Sequence, residues 1–411
     1  MEPIFTTLSF GPKIALAPCE AESIAFGIFV ASGSRHEPPK DAGISHFIEH
    51  MLFKGTAKRR AIDITRAIEG RGGNFNAYTG EESTCFFAHM PSEYLREAID
   101  ILGDMYLNAS FPEDEFEREK NVVAEEIKMY KDDPDSVADE NLQMALFPLN
   151  ALGSPVAGSE ETVSRMTRER LHEYMQTHYL ASNTVLALAG DFDPEEAKTL
   201  LEKTFSPLKA RSNRRKVKAK KVDFTLPPTK EVRVARDLNQ VKLSLGYRSF
   251  GWHDKRKFAA AVLDSLLGRG MSSRLFQEVR EKRGLAYSIA SQWQFFEDAG
   301  MFTVSAGLSA TNAKTTIATI ERELERVKTK PVSKAELERT KEFIVGNFRL
   351  AHEKVLSKML FYGSMLLSFP KPLTTHEQVA AIRAVTPEEI RDVARDVFKP
   401  ENRATSWVVP R

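Results

Sequence analysis

Residues 44–56, Ile44-Ser-His-Phe-Ile-Glu-His-Met-Leu-Phe-Lys-Gly-Thr56, decide how the chain is read. His46, Glu49 and His50 stand at i, i+3 and i+4, so a helix projects all three from one face. Phe47, Ile48, Met51 and Leu52 supply its apolar surface and Gly55 is a natural stop, so a helix is expected here. Two imidazoles one turn apart can hold a zinc ion, with a carboxylate beside them to take a proton from water. The pattern is the inverse of the His-Glu-x-x-His zinc-protease motif. It also suits a core helix with satisfied histidines. A third ligand would decide between these readings.

The best source of one is an acidic helix expected from Glu113 to about Lys131. Its apolar face is Phe116, Val123, Ile127 and Tyr130. At about 100° per residue, Glu119 and Glu126 fall within that face and Glu125 points the other way. Inward carboxylates are costly unless paired, hydrogen-bonded or bound to metal. Two salt-bridged glutamates would satisfy this as well as a metal would.

The bulk properties exclude several classes. With 411 residues, 42% hydrophobic and 28% charged, the chain is an ordinary globular one of two or three domains. A net charge of +1 gives no global attraction to nucleic acid or membrane. No run of 18 apolar residues is present, and residues 1–7 lack the marks of a signal or transit peptide. Two cysteines, Cys19 and Cys85, make no disulfide framework, so a cytoplasmic setting is expected. The basic run at 209–221 could bind phosphate, but no aromatic residue is interleaved with it, and a solvated linker is expected.

The chain repeats itself weakly. Thr167-Arg-Glu-Arg-Leu and Thr386-Pro-Glu-Glu-Ile are offset by 219 residues, and Asn183 and Asn402 share that offset. Shifting His46–His50 by 219 lands on Ser265–Arg269, so the second copy keeps a helix and loses both histidines. The fold class expected is α+β: two homologous sandwich-like halves, each a mostly antiparallel sheet packed with helices. The expected domains are 1–210, a basic linker at 211–221, and 222–411.

Taken together, His46-x-x-Glu49-His50 and Glu126, 76 residues beyond His50 in an acidic helix, closely resemble the inverzincin metallopeptidases, the M16 pitrilysin-type family. The stretch from Gly43 to Thr56 looks most like the processing-peptidase branch, and the resemblance covers nearly the whole chain. It implies a half-clamshell fold and a zinc endopeptidase that cleaves short or unfolded peptides in a closed chamber. His46, His50 and Glu126 would be the zinc ligands, Glu49 the general base, and Glu119 an orienter of a ligand or of Glu49. Gly72-Gly-Asn-Phe-Asn-Ala-Tyr-Thr-Gly80 resembles the family's substrate-side strand, where Asn76 would hold substrate backbone; without the family it is a hairpin needing Gly and Asn. Arg280 and Tyr287 match a family pair that grips substrate carbonyls and donates to the oxyanion; without the family they read as structural. Because that pair lies in the second half, the resemblance implies a homodimer with composite active sites. The alternative is a non-catalytic or partner subunit of a hetero-oligomeric processing complex. Phe10-Gly-Pro-Lys13 departs from the family's usual Asn-Gly turn.

Overall fold

The structure is a computed structural model, and it describes residues 2–211 and 217–411. Of the expected linker, residues 212–216 lie outside the described residues, and 217–221 carry no regular secondary structure.

Eleven strands among the described residues form two sheets. In chain order they are β1 (Ile4–Thr7), β2 (Lys13–Pro18), β3 (Ser23–Val30), β4 (Asn74–Thr79), β5 (Thr84–Pro91), β6 (Thr184–Gly190), β7 (Glu231–Arg236), β8 (Val241–Ser249), β9 (Ala286–Phe295), β10 (Gly300–Leu308) and β11 (Arg403–Pro410). The first sheet runs β1-β2-β6-β3-β5-β4 and the second β7-β11-β8-β10-β9. In each, one pair is parallel, β2 with β6 and β7 with β11; all others are antiparallel. Apart from β1, the two orders coincide strand for strand, which bears out the expected α+β duplication. The first hairpin forms despite its altered turn: Gly11, at φ +123°, lets Ile4–Thr7 pair with Lys13–Leu16.

The repeat extends to individual hydrogen bonds. Thr167 and Thr386 each cap the helix that follows, accepting from the backbone N–H three residues on. Asn183 donates through Nδ2 to the His178 carbonyl at 2.9 Å, and Asn402 to that of Val397 at 3.1 Å, all four residues obeying the 219 offset.

One boundary between the compact units, Lys220 to Lys221, falls within the expected linker, but each unit also takes a segment from the other half of the chain. One unit comprises Met1–Lys128, Pro155–Lys220 and Arg349–Thr374; the other comprises Met129–Ser154, Lys221–Phe348 and Thr375–Arg411. The physical reason lies in the sheets. β3 and β6 are apolar at nearly every position, so both faces need cover. One face of the first sheet carries the helices Leu95–Asn108 and Pro194–Phe205. The other is lined by Ala15, Ala17, Ala25, Val185, Ala187 and Ala189, and the late helix Val355–Ser368 packs there with Met359 and Tyr362. Small residues let that helix approach closely: a Cβ on Gly27 would lie 2.4 Å from Met359 Sδ. In the second unit the early helix Pro134–Leu146 lies on β8 and β11. There Gly246, offset by 219 from Gly27, faces Leu142 and Leu146. Each sheet therefore borrows its covering helix from the opposite half of the sequence.

Candidate active site

The motif helix spans Ile44–Leu52 and lies beside β4 and β5. It is buried on most sides, with Phe47, Ile48 and Met51 fully enclosed. Gly43 starts it at φ +93°, where an added Cβ would meet the Ala157 carbonyl oxygen at 2.5 Å. The acidic helix spans Glu113–Asp132, with Phe116, Glu119, Val123 and Ile127 buried. Phe47 and Phe116 meet edge to face at 5.3 Å between the two helices. That contact sets the facing of the polar groups.

Glu126 Oε2 lies 3.3 Å from His50 Nε2 and 3.7 Å from His46 Nε2. The three residues form the group among the described residues able to hold a metal, with their candidate ligand atoms all within 4.8 Å of one another. With metal–ligand bonds of about 2.0–2.1 Å, tetrahedral zinc ligands stand about 3.3 Å apart, so the donor set fits zinc.

Glu119 is 2% exposed and does not join this cluster. Its Oε1 bonds His50 Nδ1 at 2.8 Å and its Oε2 pairs with Lys54 Nζ at 2.6 Å. Burial favours its protonated form, but the bonds from His50 and Lys54 outweigh that and hold Glu119 below the usual carboxylate range. Burial likewise disfavours charge on His50, yet the Glu119 bond and the charges of Glu119, Glu126 and Glu49 push its pKa up. His46 goes the other way: burial, then the His50 charge, bring it down to about 4. Glu49 is raised by burial, and its Oε2 accepts from Thr79 Oγ1 at 2.5 Å.

Sequence reasoning thus finds the residues this unit brings together, His46, Glu49, His50, Glu119 and Glu126. It misses Thr79, Lys54 and Glu37. Thr79 sits on a strand distant in sequence from Glu49, and Lys54 follows the end of the motif helix, so no periodic signal marks either. Glu37, 8% exposed, accepts from the backbone N–H of Gly43 at 2.7 Å and of Ser45 at 2.8 Å.

Asn76 is exposed on β4, the edge strand, and its Oδ1 accepts from the Ala77 N–H at 2.8 Å. Arg280 and Tyr287 belong to the second unit. Arg280 lies in a π-helical turn, Phe276–Glu281, that Gly284 closes at φ +57° before β9 begins. Its guanidinium stacks 4.8 Å from the Phe276 ring and 5.5 Å from the ring of Tyr287, which is 75% exposed.

Two equivalent α+β units, one carrying a His, His, Glu cluster with a neighbouring buried glutamate, define the architecture of a zinc-peptidase-like class. The comparisons resolve the class further. Residues 13–160 match the family "Insulinase (Peptidase family M16)" and residues 165–344 match "Peptidase M16 inactive domain". A Bacillus subtilis protein named uncharacterized zinc protease YmxG is 36% identical over 94% of this chain and 93% of its own. An uncharacterized zinc protease of Streptomyces coelicolor is 35% identical over 96% of this chain and 86% of its own. A protease from Helicobacter pylori shares the fold at TM-score 0.89, with 22% identity over the whole of both chains. The chain belongs to peptidase family M16. Among its described residues no helix is long and apolar enough to cross a membrane.

Proposed function

We propose that the chain is a zinc-dependent endopeptidase. The observation that carries this reading is the convergence of His46, His50 and Glu126 beside Glu49. Zinc held by the first three residues would supply Lewis acidity toward a water molecule and a peptide carbonyl. The chain's own residues do the rest. Glu49, its pKa raised by burial, takes a proton from the water that attacks the carbonyl carbon. It then delivers that proton to the leaving amine nitrogen as the C–N bond breaks. Thr79 holds one carboxylate oxygen, which leaves the other to face the water. Glu119 fixes the His50 ring so that Nε2 faces the metal position.

The edge strand β4, with Asn76 exposed upon it, suits an extended peptide paired along its main chain. This favours short or unfolded peptides over folded proteins. The reading assigns Arg280 and Tyr287 of one copy to the active site of a second copy, with Tyr287 donating to the oxyanion. Free Cys19 and Cys85 support cytoplasmic residence.

The test is Glu49→Gln with a quenched fluorescent peptide and metal analysis. The variant is expected to hold about one zinc per chain and to lose cleavage by about 10³-fold or more, as for removal of a general base. Full activity in Glu49→Gln would remove Glu49 from its role. A wild-type protein that binds zinc but cleaves no peptide would leave the non-catalytic subunit as the reading.

A further inference from the structure

The two histidines of the cluster are held by different means. A metal-binding imidazole is ordinarily oriented by a hydrogen bond at its other ring nitrogen. His50 has that bond, from Nδ1 to Glu119. His46 does not: its Nδ1 is buried and finds no hydrogen-bond partner among the described residues. The His46 ring must therefore be aimed by its backbone and by packing. The residue before it, Ser45, is pinned twice. Its N–H donates to Glu37 Oε1 at 2.8 Å, and its Oγ lies 3.2 Å from the Tyr174 hydroxyl, which also contacts Ser32 Oγ. Glu37 Oε2 meanwhile accepts from the N–H of Gly43 at 2.7 Å.

We infer that Glu37 is a positioning residue for the metal site, acting on His46 through the first turn of the motif helix. This rests on the zinc reading above. Both Glu37 oxygens are spent on backbone N–H groups that no intrahelical carbonyl can serve. Gly43 enters the helix at φ +93°, packed against the backbone of Ala157 and Gly158. The carboxylate adds a hydrogen-bonded restraint to that steric one. Tyr174, fully buried, closes the same network from the helix Arg168–His178. One histidine of the pair is thus aimed by a side chain, the other by a braced backbone.

The test uses the full chain and zinc alone. Zinc affinity is measured by competition with a chromogenic chelator for wild type, Glu37→Gln, Glu37→Ala and the control Leu201→Ala. Leu201 is fully buried in the helix Pro194–Phe205, which packs on the helix Leu95–Asn108, so its truncation lowers stability at a place other than the motif helix. Glu37→Ala is expected to weaken zinc binding by about tenfold or more, as loss of a supporting group does, while Leu201→Ala leaves it unchanged. Glu37→Gln, which retains one acceptor, is expected between wild type and Glu37→Ala and keeps the test open should Glu37→Ala not fold. The visible spectrum of the cobalt-substituted protein gives a second readout, expected to change in the Glu37 variants and not in the control. Unchanged zinc affinity in folded Glu37 variants, or equal loss in Leu201→Ala, overturns the inference. A wild-type protein that binds no zinc overturns the underlying reading instead.

Discussion

Glu119→Ala is the most informative single change. It removes a carboxylate that is 2% exposed and bonds two groups, His50 Nδ1 at 2.8 Å and Lys54 Nζ at 2.6 Å. A hydrogen bond to a charged group contributes about 1.5–3 kcal/mol. The two bonds report on different quantities. Loss of the His50 bond frees the ring to rotate and lowers its basicity, so zinc binding should weaken by about 10–100-fold. That is about 1.4–2.8 kcal/mol at about 1.4 kcal/mol per decade. Loss of the Lys54 pair registers in stability, softened because the Lys54 side chain is 27% exposed and water can reach it. Glu119→Gln separates the terms. Its amide oxygen still accepts from His50, whereas its NH2 faces the Lys54 ammonium. Zinc affinity should then stay within about threefold of wild type while the melting temperature falls. Competition titration and thermal melting of the zinc-free protein read the two effects. A folded Glu119→Ala that binds zinc within about threefold of wild type would falsify the claim that Glu119 orients His50.

Two further outcomes are expected. Mixing Glu49→Gln with Tyr287→Phe protein should restore cleavage if copies form composite sites, because each hybrid then holds one site with both groups intact; two inactive parents that never complement would refute that arrangement. The second concerns pH. Burial pushes Glu37 up to about 7 from its ordinary value of 4.5, against the pull of its hydrogen-bond donors on Ser45 and Gly43. A carboxyl raised in the fold contributes stability that is fully present below pH 4.5 and is lost as pH rises through 7. In zinc-free protein, wild-type stability relative to Glu37→Gln should fall across that window by up to about 3 kcal/mol. A difference that is constant with pH would show that the N–H groups compensate for burial.

The borrowed covering helices carry a lesson about reading domains from sequence. The 219-residue repeat marks two copies correctly, and capping Thr167 and Thr386 occupy matching places. Yet repeat units and compact units differ, because helices Pro134–Leu146 and Val355–Ser368 pack on the sheet of the opposite copy. Their apolar surfaces are evident from sequence. Which sheet face they cover depends on small residues such as Gly27 and Gly246, whose significance appears only when strand neighbours are known.

For the candidate site, residue spacing alone is enough to put His46, Glu49 and His50 on one helix face and to turn Glu119 and Glu126 inward. Both follow from local geometry, since the helical period fixes which side chains share a face. Helical geometry does not separate the two inward glutamates; the family resemblance gives them different roles, and the structure shows the arrangement behind that, Glu126 facing both Nε2 atoms and Glu119 bonding His50 from behind. The helix period assigns a face but neither the crossing of two helices nor the depth of each residue, and seven residues along the acidic helix change the partner. Thr79, Lys54 and Glu37 were likewise beyond reach of the sequence. Thr79 meets the motif helix from a strand and Glu37 from a loop, while Lys54, at that helix's exit, meets Glu119 of the acidic helix; such contacts arise from packing, which carries no period along the chain.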